Sequence, residues 1–514
     1  MATLATDERM GLGRRASNER PEVGITRRRF LGALSAGTAW IALCGSLGCG
    51  RSGRTRAAAA PRGSGLARAF RSRPDLRPPA IKVNTNAPGA SPGYVFVSPK
   101  KAPGEKAPSQ DAPLIVDSDG EPVWFHPLKD AEADAFNFEV QSYKGEKVLT
   151  WWVGHHTGYG QGVYVIADSS YRELKRLVAG NGLKGDHHEF LITPQDTALI
   201  TIYNKVGMDL SSVGGPVDGT VLDGIVQELD IESGEVIFEW HSLKHVELSE
   251  PRITPYDHLH TNSIDIFDKD HLLISSRAKS TIFKLDRNTG EVVWRLGGER
   301  SDFEMGPGTR FALQHDARPH PDGTITIFDN GSPSTVEQSR GIVVEVDEDA
   351  MRATLVREYT HPDKLFSATQ GSMQVLPNGN VFVGWGSSPA ISEFNHDGEL
   401  LFSASFPTEG ETYRAFRFPW KGFPEDSPAI AAESGQGDEV TLYASWNGAT
   451  EVASWQVLAG SGPEELEPIG SAPRKGFETV VALNTSEPYV AVKARDGSGR
   501  ALGTSHPVKP VDQA

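Results

Sequence analysis

One hairpin recurs along this chain. Asp117-Ser118-Asp119-Gly120-Glu121-Pro122-Val123-Trp124 sets the pattern: an Asp and a Gly turn the chain, and a strand carrying Trp follows. It returns at Asp230…Gly234-Glu235 and at Asp286…Gly290-Glu291-Val292-Val293-Trp294. A weaker copy is Asn395…Gly398-Glu399, and degenerate copies start at Asp168 and Asp347. The starts at 117, 168, 230, 286, 347 and 395 are 51, 62, 56, 61 and 48 residues apart. A strand-and-turn repeat of that period predicts small sheets arrayed radially, a β-propeller rather than a sandwich. Residues 260–296 divide into four strands, and Thr281-Ile282-Phe283-Lys284-Leu285 alternates with period two. Five such units follow Asp117. A sixth closes if strands at 94–97, 114–116 and 123–125 pair with the strand near 413–418, which removes exposed strand edges.

The chain beyond the repeat reads differently. Residues 419–437 are rich in Pro, Ala, Glu and Ser and read as a linker. Short strands follow, including 440–444, 453–458, 479–483 and 489–494, with Trp446 and Trp455 as core candidates. Their spacing predicts a small β-sandwich resembling a fibronectin type III module. With Gly 54 and Pro 34 in 514 residues and no long amphipathic pattern, the expected class is all-β. The expected organisation is a leader at 1–59, a linker at 60–91, a six-bladed propeller at 92–418, a linker at 419–437 and the sandwich at 438–510.

The net charge of −16 hides an asymmetry. Residues 1–77 hold 15 Arg, no Lys and 5 acidic residues, a balance of +10, so the rest carries −26. A body that acidic is poorly suited to nucleic acid. Within the basic end, Thr26-Arg27-Arg28-Arg29-Phe30-Leu31 precedes an apolar run to Leu47 that is shorter than the ~20 residues of a spanning helix. This resembles a bacterial twin-arginine export signal, with Gly32 where Lys is usual. The resemblance implies an exported protein of the cell envelope or exterior. Two processing routes stay open: cleavage near Ala57-Ala58-Ala59-Ala60, or lipid attachment at Cys49 in Ser46-Leu47-Gly48-Cys49. Cys44 and Cys49 are the chain's 2 cysteines, so a disulfide scaffold and a four-thiolate metal site are excluded.

In a propeller the first strands of all units line a central channel. Aligning the units brings His187-His188-Glu189, His258-Leu259-His260-Thr261-Asn262, Gln314-His315-Asp316 and Gln370-Gly371-Ser372 to one level. Neighbouring strand ends add Trp152, Tyr203, Arg277, Asn330 and Arg340. Three units thus bring His to the same strand start. Arg offers a fixed fork for an anion, His and Asn offer donors, and a neutral His can take up a transferable group. The competing reading is a metal held by His258 and His260 with His188 or His315, but no carboxylate is evidently placed to complete it. We expect no metal and no cofactor. Asp286-Arg287-Asn288-Thr289-Gly290 starts like a calcium loop, yet its twelfth position is Gly297, so a hairpin turn is the better reading.

The sequence is similar to the arylsulfotransferase-like family. The similarity rests on Tyr256-Asp257-His258-Leu259-His260-Thr261-Asn262-Ser263-Ile264-Asp265, Leu273-Ile274-Ser275-Ser276-Arg277 and Thr289 to Gly298. It continues in Gln314-His315-Asp316-Ala317-Arg318, Phe328-Asp329-Asn330-Gly331 and Ser339-Arg340-Gly341, and more loosely over 90–420. It implies a six-bladed propeller and sulfuryl transfer between phenolic compounds through a transiently sulfated channel histidine. It further implies His260, His315, Asn330 and Arg340 as catalytic positions. His188, His258, Asn262, Arg277, Tyr203 and Trp152 are the expected substrate-binding positions. In the family the sulfated histidine lies on the unit after the Asp-Asn-Gly and Ser-Arg-Gly motifs, whereas this chain has Gln370-Gly371-Ser372-Met373-Gln374 there. Either His260 or His315 then serves as nucleophile, or the chain does other chemistry, or it only binds.

Two functions of different class follow. One is an exported transferase acting on a small phenolic sulfate or phenol, as a monomer. The other is a non-catalytic envelope protein that binds a ligand or partner through the propeller and sandwich. A quinone-dependent dehydrogenase, whose blades also carry Thr-Gly-x-x-x-Trp, fits less well with six units and no calcium-ligand cluster.

Overall fold

Runs of alternating apolar residues, bounded by Asp-Gly turns, build four-stranded antiparallel meanders between residues 94 and 418. The computed structural model describes residues 66–101, 109–130, 133–156, 158–249, 255–332, 336–407 and 410–512. The arginine-rich leader, with its 26–31 motif, Cys44 and Cys49, lies outside the described residues.

The first meander runs Gly410–Phe418, Tyr94–Lys101, Leu114–Val116, Pro122–Phe125, so a late strand closes the sheet that the early strands open. The second is Asp134–Tyr143, Glu146–His156, Gly160–Ala167 and Glu173–Leu177. The third is Gly185–Ile192, Thr197–Met208, Gly219–Asp230 and Val236–His241. A single pairing of Gly162 with Gly185 joins these two into one larger sheet. The remaining three start at Thr261–Ile266, His315–Pro319 and Ser372–Val375. Each recurring hairpin of the sequence joins the third strand of a meander to its outermost strand. At the first, the Asp117 carboxylate accepts from Asp119 and Glu121 N–H at 2.9 Å, and Gly120 takes the left-handed backbone (φ 79°) that the turn requires. The hairpin tryptophans Trp124, Trp240 and Trp294 are buried between sheets.

The innermost strands form a closed cycle. Asp134–Tyr143 lies against Gly185–Ile192, and contact then passes through Thr261–Ile266, His315–Pro319, Ser372–Val375 and Gly410–Phe418 back to Asp134–Tyr143. The result is a nearly all-β, propeller-like ring. Its helical content among the described residues is a 3-10 turn at Ser211–Val213 and the four-residue helix Ser242–His245. None of the helices in the described residues is long and apolar enough to cross a membrane.

Two stretches expected to be linkers carry structure. Within 60–91, Lys82–Asn86 adds a fifth strand beside Leu400–Ser405, and Phe70, Leu76 and Ile81 are buried. The Phe70 ring lies 4.3 Å from that of Phe477, and the backbone N–H of Ser72 donates to Glu478 at 2.6 Å. The Pro- and Arg-rich sequence hides this because its few apolar residues follow no period. Within 419–437, Ala429–Ser434 pairs with Glu439–Ser445. That strand belongs to the C-terminal module, in which two four-stranded sheets share a core of Leu442, Trp455, Val457, Val481, Val490 and Val492. The module is fastened to the first meander where Asn447 exchanges two hydrogen bonds of 2.9 Å with the backbone of Phe125.

Candidate functional site

The inner strands bring His188, His260 and His315 together. The rings of His188 and His260 are 4.9 Å apart and nearly perpendicular. Tyr413, on the closing strand, lies 5.7 Å from His188 and 6.4 Å from His315. Tyr203 completes the wall, 5.4 Å from His188 and 5.8 Å from His260, with its hydroxyl donating to the Thr261 carbonyl at 2.9 Å.

The three histidines differ in what their nitrogens touch. Asp257 ends the short pairing of Tyr256–Asp257 with Val221 and Leu222. The chain then turns through His260, whose backbone is left-handed (φ 52°) and whose carbonyl accepts from Arg277 N–H at 3.0 Å. In that conformation Nδ1 of His260 hydrogen-bonds the Asp257 carboxylate, and among the described residues Nε2 has no hydrogen-bond partner. Burial pushes the His260 pKa down and Asp257 pulls it back, leaving it below the ordinary imidazole value. A neutral ring with its proton on Nδ1 carries its lone pair on Nε2. His188 is anchored in the same way, Nδ1 to Asp186 at 2.5 Å.

His315 is different. Nε2 accepts from Gln370 N–H at 3.2 Å, so the proton lies on Nδ1, which donates to Asn330 Oδ1 at 2.7 Å. Burial first, then the nearby Arg277 charge, hold its pKa far below the ordinary value. The ring is neutral and both nitrogens are used. Asn330 spends its amide group on the Ser367 and Gln370 carbonyls, both at 2.9 Å. His315 and Asn330 therefore brace the 367–370 loop through these bonds.

The two arginines also part company. Arg340 donates to Asp329 (3.0 Å), Glu358 (2.7 Å) and the Gly308 and Arg310 carbonyls (3.0 and 2.9 Å), which leaves no fork for an anion. Arg277 has no carboxylate within ion-pair distance among the described residues. One nitrogen reaches the Ala368 carbonyl at 3.3 Å, and its buried Nε has no partner. Burial lowers its pKa, while Asp257 and Tyr203 act in the opposite sense. A guanidinium with no ion-pair partner, whose charge acts on His260 and His315, is suited to a tetrahedral oxyanion.

Three other expected positions are placed as follows. Trp152 is fully buried, with its indole N–H on the Gly185 carbonyl at 3.1 Å, and packs beneath His187 as core. His258 does not share a face with His260, because the turn between them breaks the strand; its Nε2 meets Ser242 at 2.9 Å. The metal set built on both is therefore not formed. Asn262 is buried with its amide on the Gln314 carbonyl at 2.6 Å, bracing adjacent inner strands. Among the described residues one group, Asp186, His187 and His188, places three potential metal-ligand atoms together. The Asp186 carboxylate already accepts from Gly160 N–H and His188 N–H.

Sequence reasoning missed Asp257, Asp186, Tyr413 and Arg414. Arg414 is fully buried and holds Glu189 through both terminal nitrogens (2.8 and 3.1 Å), Asn137 (2.7 Å) and the Asn262 carbonyl (2.9 Å). Arg318 meets the same Glu189 at 2.7 Å and Asp316 at 2.8 Å. Burial opposes the Glu189 charge, but Arg318 and Arg414 outweigh it and hold the carboxyl at about 2. The signal was present: Arg414 stands between Tyr413 and Ala415-Phe416 in the closing inner strand.

The closed cycle of inner strands makes this a propeller-like protein, with His188, His260 and His315 at those strands and Arg277 just past the end of a second strand. The chain belongs to the arylsulfotransferase (ASST) family, whose model matches residues 139–407. No curated protein sequence matches it. Among solved structures it is similar to a protein of unknown function from Bacteroides caccae (15% identity, 63% of this chain and 98% of that one, TM-score 0.38). It is also similar to virginiamycin B lyase from Staphylococcus aureus (8%, 78% and 99%, 0.35). An α-L-arabinanase from Penicillium chrysogenum is comparably distant (13%, 68% and 93%, 0.34). Likenesses this remote carry no argument about activity.

Proposed function

We propose that the protein transfers a sulfuryl group between phenolic compounds, with Nε2 of His260 carrying the group. The observation behind this is the Asp257–His260 pair near Arg277, which has no carboxylate within ion-pair distance among the described residues. In the first half-reaction the Nε2 lone pair attacks sulfur. An N–S bond forms as the S–O bond to the donor phenol breaks and its electron pair leaves on oxygen. In the second, the acceptor oxygen attacks sulfur, the N–S bond breaks and Nε2 recovers its lone pair. Arg277 holds the non-bridging oxygens, where charge develops. Family membership supports the phenolic substrate class.

The scaffold proposed for this chemistry is a six-bladed propeller with a fibronectin type III-like module, supported by the cycle of inner strands and the two-sheet C-terminal core. Export by the twin-arginine route, a lipid on Cys49 or cleavage near residues 57–60, and a monomeric state complete the proposal. The test is release of nitrophenol from 4-nitrophenyl sulfate by the purified protein, with and without phenol. Acceptor-stimulated release that His260→Ala abolishes supports the reading, and its absence from a folded protein refutes it.

A second reading, a non-catalytic binding protein of the cell envelope, is favoured by Gln370-Gly371-Ser372 standing where the family resemblance implies a histidine. Sustained turnover of any phenolic sulfate would exclude it.

A further inference from the structure

We propose that His188 is a second catalytic residue of this site, the group that gives a proton to the departing phenolic oxygen and takes one from the incoming phenol. This rests on the sulfuryl-transfer reading above. His188 stands edge-on to His260, ring centres 4.9 Å apart, and each is bound to its own carboxylate through Nδ1. The Asp186 carboxylate is fixed in turn by N–H of Gly160, N–H of His188 at 2.9 Å and the Thr201 hydroxyl at 3.3 Å, so the His188 ring is held with Nε2 as its available nitrogen.

The chemistry needs a second proton-handling group. Once Nε2 of His260 carries the sulfuryl group it has no lone pair, and Nδ1 is committed to Asp257. The other neighbours are occupied. Both nitrogens of His315 are hydrogen-bonded, the Tyr203 hydroxyl donates to Thr261, and the Tyr413 hydroxyl lies on the His188 and Asn262 carbonyls. Arg277 does not release its proton. His188 remains. In the second half-reaction the Nε2 lone pair of His188 takes the hydroxyl proton of the acceptor as the new O–S bond forms. In the first half-reaction of the next turnover that proton moves to the departing phenolic oxygen as the S–O bond breaks, so no net proton is consumed. The titratable groups around it are Asp186, His187, Asp257, His260, Tyr203 and Tyr413.

The experiment compares donors with good and poor leaving groups, using the full chain, His188→Asn and His188→Gln. With a fixed acceptor, kcat/KM for phenyl sulfate should fall about 10²–10⁴-fold in the variants, while that for 4-nitrophenyl sulfate falls less than about 10-fold, because nitrophenolate leaves without a proton. Imidazole in the buffer should restore part of the phenyl sulfate rate to His188→Ala. Equal losses for both donors, or none, overturn the assignment. If the variants do not fold, the wild type decides: a shallow dependence of rate on leaving-group acidity supports proton donation and a steep one overturns it. A wild type that transfers from no donor overturns the parent reading as well; an active wild type with the wrong donor dependence overturns the role of His188 alone.

Discussion

Asp257 and His260 lie three residues apart and meet through the carboxylate and Nδ1, with the backbone of His260 left-handed between them and its strand. The carboxylate sets the tautomer, and the tautomer places the lone pair on the unpaired nitrogen. Asp257→Asn should therefore cut sulfuryl transfer by roughly 100-fold or more, with far-UV circular dichroism unchanged. A variant with wild-type turnover would show that His260 needs no orienting partner.

Arg277 and Arg340 should separate in opposite directions. Arg277→Gln removes the unpaired fork and should lower transfer by about 10²–10³-fold with little change in melting temperature. Arg340→Gln breaks contacts with Asp329, Glu358 and two carbonyls, and should cost about 1–3 kcal/mol of stability while the folded fraction keeps its activity. Steady-state kinetics and denaturant melts on both variants decide it, and a reversed pattern would restore Arg340 to the site.

His315 and Asn330 should behave as one unit. Each single alanine variant leaves the other's buried polar atoms unpaired, so each should destabilise by about 2–4 kcal/mol. The double variant should fall short of the sum by about 0.5–3 kcal/mol. Additive losses in chemical denaturation would mean that the two side chains are not coupled.

Glu139 gives the fold a pH dependence. Burial, then the adjacent Glu189 charge, raise its pKa from 4.5 to about 8. Between those values the folded protein keeps a proton that the unfolded chain has lost. The stabilisation is whole below about pH 4.5 and drains away as the pH rises toward 8. Glu139→Gln has nothing to titrate, so the wild type should lose melting temperature relative to the variant from pH 5 to 8. Parallel melting curves at pH 5, 6.5 and 8 would show an ordinary carboxyl.

The repeat was legible because hairpin chemistry is local: an Asp that caps its own turn and a Gly three or four residues on need no distant partner. The convergence of His188, His260 and His315 followed from strand alignment alone. Which cation is free was not legible. Arg277 and Arg340 occupy similar strand ends, and only the fold reveals that Asp329 and Glu358 neutralise one of them. The separation of His258 from His260 was hidden for a related reason. Their i, i+2 spacing promises a common face only in a continuous strand, and the left-handed turn at His260 ends that continuity.

The strand Gly410–Phe418 completes the first sheet and also supplies Tyr413 and Arg414. The wall of the site and the buried charge that balances Glu189 thus leave the ribosome after every other inner strand. A chain interrupted before residue 410 would hold all three histidines and Arg277, with Glu189 deprived of one of its two arginines and no surface behind the imidazoles. Site assembly and ring closure are then a single event in the history of each molecule.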